Sequence, residues 1–221
     1  MTTAATDATL EEIRALLAPA IADAAVFDGW SVAAVDSAAR AAGVNEAVAR
    51  LAFPDGAMDM IAAWIGSVNS AMEQAFSPEQ LAAIPVRERI RALIRFRLGH
   101  VAGREEALKR ALAIMALPNN AGAALQLGWH SADAMRRLAG DTATDLNHYS
   151  KRAILAGVYA ATLAFFVDDD SGGKADTQAF LDRRIEGIIR FEKAKGQLFP
   201  RSSEHFSITR FLGRLRYPAR Q

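Results

Sequence analysis

Apolar residues recur along the chain at the spacing of three and four that is typical of a helix, and no stretch alternates in the manner of a strand. In the first such pattern Leu10, Ile13, Leu17 and Ile21 share one helix face. The whole pattern predicts an all-α protein with helices over residues 10–26, 32–41, 45–52, 58–76, 86–116, 121–140, 141–167 and 176–195. Gly99 and Gly103 are candidate interruptions of the fifth helix, and residues 168–174 are predicted to be a linker.

The second and third predicted helices have the layout of a helix-turn-helix. Ser31 is a candidate N-cap for the first of them, Gly43 lies in the turn, and Phe53 begins the break after the second. A glycine suits a tight turn because it has no Cβ to obstruct the backbone. Many helical hairpins share this layout, so the pattern alone does not identify a DNA-binding protein.

The net charge of +1 divides unevenly between the two parts of the chain. Residues 1–80 hold 11 acidic and three basic residues, a net charge of −8, whereas residues 81–221 hold 14 acidic and 23 basic residues, a net charge of +9. The candidate recognition helix carries Glu46 and a single base, Arg50. Because non-specific DNA affinity comes from neutralising phosphates, the sequence predicts that this module does not bind nucleic acid.

The residue types limit the chemistry that the chain can perform. It has no cysteine, which excludes disulfides and thiolate ligands. His130 and Asp133 share a helix face, but two ligands do not make a metal site, and no Glu-x-x-His pair for a di-iron centre is present. Neither a nucleophile elbow nor a nucleotide-binding glycine motif occurs. The expectation is a protein without a catalytic site, metal or cofactor, and a small hydrolase or isomerase is disfavoured.

Two observations bear on location. Residues 1–9 lack a basic residue and contain Asp7, so they resemble neither a signal peptide nor an Arg-rich transit peptide. The longest apolar run, residues 153–167, is shorter than the ~20 residues of a membrane span and is predicted to be a buried helix. We expect a bacterial cytoplasmic protein associated peripherally with the inner (plasma) membrane.

Two stretches resemble a known family. The first is residues 104–133, and the second is residues 139–195, which include the motif Thr-Asp-Leu-Asn-His-Tyr-Ser-Lys-Arg at 144–152. The chain is similar over about residues 29–195 to the coenzyme Q protein nine family, the accessory proteins of ubiquinone biosynthesis. The resemblance implies a TetR-like fold with a hydrophobic cavity for an isoprenoid lipid or ubiquinone precursor. It also implies a partnership with the di-iron demethoxyubiquinone hydroxylase, to which the lipid is presented.

The family motif implies a patch that binds the hydroxylase. It consists of Asp145, Asn147, His148, Tyr149, Lys151 and Arg152. One departure is that His148 stands where the family usually has tryptophan, and an aromatic anchor is a typical interface hot spot. The alternative interpretation is a solvated start to a long helix, capped by Thr142 or Thr144.

The apolar residues of the second half are candidates for the wall of the lipid cavity. They are Leu112, Met115, Leu125, Trp129, Tyr159, Phe165 and Phe166. The alternative is ordinary core together with a homodimer interface, since the last two core helices of TetR-like proteins, here residues 141–167 and 176–195, form the dimer contact.

The C-terminal segment combines an apolar face with arginines. Its residues Phe206, Ile208, Arg210, Phe211, Leu212, Arg214 and Leu215 predict an interfacial helix on anionic lipid. The alternative is that this helix docks on its own domain over the cavity mouth.

The predicted domains are a degenerate helix-turn-helix module (1–80), a lipid-binding and dimerisation domain (81–195) and a basic amphipathic tail (196–221). The competing function is a ligand-responsive TetR-type transcriptional regulator.

Overall fold

A computed structural model describes residues 8–140 and 146–198 of the chain, and all of the regular structure in these residues is helical. The predicted all-α class is therefore confirmed. The helices are α1 (Leu10–Asp28), α2 (Val32–Ala42), α3 (Glu46–Leu51), α4 (Ala57–Ala75), α5 (Pro78–Ala82), α6 (Val86–Val101), α7 (Glu105–Met115), α8 (Ala121–Leu138), α9 (Leu146–Phe166) and α10 (Ala175–Leu198). A short 3-10 turn, Gly172–Lys174, precedes α10. Among these helices none is both long and apolar enough to cross a membrane.

The predicted turn of the helix-turn-helix lies at Gly43, whereas Ser31, the candidate N-cap of α2, makes no side-chain cap hydrogen bond. Gly43 ends α2 in the left-handed conformation, with φ +69° and ψ 23°, which a residue with a Cβ rarely adopts. Asn45 caps α3, and its side-chain oxygen accepts hydrogen bonds from the backbone N–H groups of Ala47 (2.9 Å) and Val48 (3.3 Å). These two residues fix the angle between α2 and α3.

The predicted helix over residues 86–116 is two helices, α6 and α7. The chain turns through Gly103, which has φ +80°, and α7 begins at Glu105. Gly99 lies inside α6 and does not interrupt it. The break lets α6 and α7 both pack around α4.

Residues up to Ile185 form one compact unit, and those from Glu186 belong to a second. Within the first unit, α1 and α4, which precede the predicted boundary at residue 80, pack against α7 and α8, which follow it. Trp30 contributes to this joint core: its indole N–H donates to the carbonyl of Ala107 (2.9 Å), and its ring lies 5.4 Å from that of Trp64. The domain boundaries drawn from the sequence stay predictions.

The segment predicted as a plain linker contains a buried capping residue. Asp169 is 5% exposed and accepts hydrogen bonds from the backbone N–H groups of Ser171 and Thr177, both at 2.8 Å. The hydroxyl groups of the same two residues also donate to it. Hydrogen bonds from Ser171 and Thr177 hold the pKa of Asp169 well below its ordinary value. The carboxylate thereby anchors the first turn of α10.

Candidate functional site

A large apolar cavity lies among α4, α6, α7, α8 and α9. Its volume is about 850 Å³, which is near the upper end of the range for small-molecule sites. Trp64 and Val68 of α4, Leu112 and Met115 of α7, and Leu163 of α9 form part of the wall. The cavity is thus built from core-facing positions of the bundle.

Small residues on two neighbouring helices explain why the space is not filled. On α9, Ala153, Ala156, Gly157 and Ala160 line the cavity at helical spacing, and Gly128 lines it from α8. Their side chains are too short to reach across the space between the helices, so the bundle keeps a void where larger residues would interdigitate. This spacing was present in the sequence, but we did not recognise it as a cavity signal.

One region of the wall is polar and centres on Arg97, which is 1% exposed. The guanidinium donates to the side-chain oxygen of Asn69 and to the hydroxyl of Ser131 (3.2 Å), and it lies over the ring of Tyr159, 4.8 Å from the centroid. Its buried Nε has no hydrogen-bond partner. Within the described part of the chain, Arg97 forms no ion pair with a carboxylate.

The cavity extends from this buried arginine to the protein surface. Leu125 on α8 lines the cavity although it is 76% exposed. A leucine with this exposure marks the opening, because an enclosed wall would bury it. A ligand can therefore enter beside Leu125 and reach Arg97.

The structure brings five of the seven predicted lipid-binding residues together. Besides Leu112, Met115 and Leu125, Trp129 and Tyr159 line the cavity. Whether they bind lipid stays a prediction.

Phe165 and Phe166 are not among the residues that line this cavity, and whether they bind lipid stays a prediction. Phe165 stacks on Phe180 of α10, with ring centroids 4.8 Å apart and planes 9° apart. Phe166 is 2% exposed and lies under the ammonium of Lys174, 4.8 Å from the ring centroid. These two positions follow the cavity-facing stretch of α9 and pack against the start of α10 instead.

The predicted partner patch is described only in part. Asp145 lies outside the described residues, and the side chains of Asn147, His148 and Tyr149 are likewise outside the description. Lys151 is exposed. Its role in binding a partner stays a prediction.

Arg152, the last residue of that patch, contacts the cavity wall. Its guanidinium pairs with Asp133 of α8 and lies 4.7 Å from the ring centroid of Trp129, which lines the cavity. The sequence places Asp133 on one helix face with His130, and spacing does not predict its pairing with Arg152 because Arg152 lies on another helix. Arg152 therefore connects the predicted partner patch directly to Trp129 in the cavity wall.

The predicted membrane segment cannot be compared with the structure. Its residues Phe206, Ile208, Arg210, Phe211, Leu212, Arg214 and Leu215 all lie outside the described residues.

The arginines of the helix-turn-helix module are paired with carboxylates. Arg50 of α3 donates twice to Asp36, with both distances 2.7 Å, and the hydrogen bond from Arg50 lowers the pKa of that carboxyl. Arg40 pairs with Glu46 at 2.9 Å. Arg14 is also paired with an acidic side chain. The candidate recognition helix therefore presents no arginine without a neighbouring carboxylate, which disfavours contacts with phosphates.

No cluster of three or more potential metal ligands occurs in the part of the chain that the structure describes. The apolar wall with one polar region around Arg97 has the composition of a site for an apolar molecule with a polar end.

The fold and cavity define a class of protein: a TetR-like helical bundle with an internal ligand cavity. A TetR transcriptional regulator from Nitrosomonas europaea ATCC 19718 has a similar structure, with a TM-score of 0.63 over 80% of this chain and 98% of that chain. The identity is only 18%, so this likeness shows the fold alone.

Sequence comparison then gives the family. The COQ9 family model matches residues 121–192, from the start of α8 into α10. Mitochondrial ubiquinone biosynthesis proteins COQ9 from Rattus norvegicus and Homo sapiens are 32% and 30% identical to the chain, each over 73% of its length. The chain belongs to the COQ9 family. It spans about half the length of these curated relatives, 54% and 52% respectively.

Proposed function

We propose that this protein is a non-catalytic accessory protein of ubiquinone biosynthesis that binds an isoprenoid quinone precursor in its cavity. The single observation that carries the proposal is the apolar cavity of about 850 Å³. The relatives are named as ubiquinone biosynthesis proteins, and this name supports the choice of ligand.

The physical reason is that such a precursor is mostly hydrocarbon. Burying apolar surface contributes about 25 cal/mol per Å², so a wall of aliphatic and aromatic side chains offsets the cost of taking the tail out of a bilayer. The opening beside Leu125 gives the tail a path to the interior. Binding is thus the contribution of the protein, and the chemistry belongs to its partner.

We further propose that the bound precursor is presented to the demethoxyubiquinone hydroxylase. The segment from Asp145 to Arg152 docks this enzyme, and the contact of Arg152 with Trp129 connects the docking segment to the cavity wall. A homodimer formed through α9 and α10 and a C-terminal helix on the inner membrane surface complete the proposal.

The identity of the ligand is tested by purifying the protein from its native membranes and profiling the extracted lipids by mass spectrometry. We expect an isoprenoid quinone or its precursor at close to one per chain. In a strain lacking the gene, we expect loss of ubiquinone and accumulation of the demethoxy precursor. A normal quinone profile in that strain would contradict the proposed role.

The partner contact is tested at His148. Replacing it by tryptophan, the residue usual in the family, is expected to strengthen binding to the purified hydroxylase because a larger aromatic surface is buried. His130→Trp, the same substitution at an exposed histidine of α8 outside the proposed docking segment, is the matched control and should leave the affinity unchanged. Equal affinity of His148→Trp and the unmodified protein would argue against a contact at this position.

The membrane contact is tested at Arg210 and Arg214. Reversing both charges to glutamate should weaken binding to anionic vesicles, since each basic residue at such a surface contributes roughly 1 kcal/mol. Unchanged vesicle binding would exclude the membrane-helix proposal.

A ligand-responsive transcriptional regulator is the alternative function, and the TetR-like fold favours it. The net charge of −8 over residues 1–80 and the pairing of Arg50 with Asp36 argue against it. An electrophoretic shift assay with fragmented genomic DNA at low salt distinguishes the two functions. A shift that is released by an apolar ligand would favour the regulator.

A further inference from the structure

We propose that Arg97, with Asn69, Ser131 and Tyr159, forms a head-group subsite that binds an acidic oxygen at the polar end of the ligand. The carboxylate of a fatty acid and the ionised hydroxyl of a phenol both have this chemistry. This inference rests on the proposed function, in that the cavity binds a lipid, and it adds the chemical class of the polar end.

The first reason is that Arg97 is buried and that no carboxylate of the described residues pairs with it. Its guanidinium is always protonated, and it is 1% exposed. Burying a charge is costly unless it is paired and hydrogen-bonded. Neutral groups, Asn69, Ser131 and the face of Tyr159, compensate only part of this cost.

The second reason is that a donor of Arg97 is unused. Nε is buried and has no acceptor. Arginine donors arranged in a planar fork suit an anionic oxygen, and the resulting charge-assisted hydrogen bonds are about twice as strong as neutral ones. Arg97 lines the cavity but Nε is itself enclosed, so a small rotation of the guanidinium toward the cavity would present this donor to a ligand.

Two other arginines of low exposure make the contrast clear. Arg91, six residues before Arg97 on α6, pairs with Asp182 at 2.7 Å and also with Glu88. Arg152 pairs with Asp133. The fold supplies carboxylates to these side chains but none, within the described residues, to the arginine at the cavity.

The orientation of the ligand follows from the two ends of the cavity. Arg97 is buried, whereas Leu125 at the opening is 76% exposed. The acidic group therefore lies inside against Arg97, and the hydrocarbon tail extends toward the opening. A ligand bound in this way keeps its polar end away from water until it leaves.

Competition between matched amphiphiles tests the inference. Hexadecanoic acid, hexadecanol and a long-chain alkylphenol are titrated at pH 8 against delipidated full-length protein loaded with a fluorescent apolar probe. We expect the acid to bind about tenfold more tightly than the alcohol, or better, from hydrogen bonds to a charged group. The alkylphenol reports whether the subsite also ionises a phenol, because the phenolate has a distinct ultraviolet absorbance.

Variants on α6 assign the effect to one side chain. Arg97→Met should weaken binding of the acid far more than binding of the alcohol and so remove the preference for the acid, and Arg97→Lys should retain part of this preference. Arg95→Met is the matched control: Arg95 lies two residues away and pairs with Gln178 and Asp182 outside the cavity, so the preference should persist. A preference for the acid that survives in Arg97→Met would overturn the inference.

The unmodified protein gives a decisive result even if the methionine variant fails to fold. Equal affinity for acid and alcohol would refute the head-group subsite and leave lipid binding intact. Displacement of the probe by none of the three amphiphiles would refute lipid binding in the cavity, and with it the proposed function.

Discussion

Filling the cavity with a lipid is expected to raise the melting temperature of the protein by several degrees, because an apolar cavity of this size is costly when empty. At about 24 cal/mol per Å³, a cavity of 850 Å³ corresponds to about 20 kcal/mol. The space beside Leu125 is open to solvent, so this figure is an upper bound. Even half of it would be comparable to the ~5–15 kcal/mol that stabilises a typical domain.

Water is a poor substitute for lipid in this cavity. A buried water needs two to four polar partners, and the wall is mostly hydrocarbon apart from the region around Arg97 and Ser131. Filling the space with an apolar ligand restores the missing van der Waals contacts. The lipid-bound protein should therefore be the more stable form.

The expected size of the effect follows from binding equilibrium. A ligand at 100 times its dissociation constant stabilises the native state by about 2.7 kcal/mol. For a chain of this length, 1 kcal/mol shifts the melting temperature by roughly 2–4 °C, so we expect a rise of about 5–11 °C. Delipidated protein is titrated with a short-tailed ubiquinone in mild detergent and followed by calorimetry. No shift at saturating ligand would refute this reasoning.

A pair of variants on α9 separates cavity occupancy from general stabilisation. Ala156 lines the cavity, whereas Ala164 is exposed and does not. Ala156→Leu should stabilise the delipidated protein, at about 0.8 kcal/mol per buried CH₂, and reduce the shift caused by ligand. Ala164→Leu should change neither. Equal ligand-induced shifts in both variants would show that binding takes place elsewhere.

Three further predictions concern single contacts. Trp30→Phe removes the hydrogen bond to Ala107 and should cost about 1–2 kcal/mol in urea denaturation; an unchanged midpoint would contradict a shared core. The pKa of Asp169 is lowered in the folded state. The ionised carboxylate therefore stabilises the fold fully above the unfolded pKa of about 4, and this stabilisation is lost as pH falls below that value. Asp169→Asn should flatten the pH dependence of thermal stability in that range. Asp133→Asn weakens the pair with Arg152 and should cost about 1.5–3 kcal/mol, measured in the same urea assay. An unchanged urea midpoint would argue against this pair as a structural contact.

Local chemistry made most of the helix boundaries predictable. The turn at Gly43 and the cap at Asn45 depend on backbone conformation and on hydrogen bonds within three residues. Such local interactions can be predicted from the residue types at neighbouring positions. The same holds for the break at Gly103, although the sequence offered Gly99 as an equal candidate, because a glycine inside a helix and one between helices look alike without tertiary contacts.

The cavity was less predictable because it depends on which helix faces meet. Trp129 and Tyr159 were expected in its wall from the family resemblance, and they lie there. Phe165 stacks on Phe180 and does not line this cavity, and an apolar helix gives no sign of which of its residues face α10. Arg97 was missed, since a single arginine in a basic amphipathic helix looks like a solvent-exposed side chain until its burial is known.

The two ends of the molecule show how a fold can be retained while the chemistry at its sites changes. Gly43 and Asn45 maintain the geometry of the helix-turn-helix. Asp36 and Glu46, however, form ion pairs with the arginines that would contact phosphates. The cavity shows the opposite charge pairing: its hydrocarbon wall surrounds Arg97, which no carboxylate in the described residues neutralises. Because affinity for a polyanion or for an amphiphile is decided by such local charges and not by helix geometry, the charge distribution favours lipid binding over DNA binding for this TetR-like bundle.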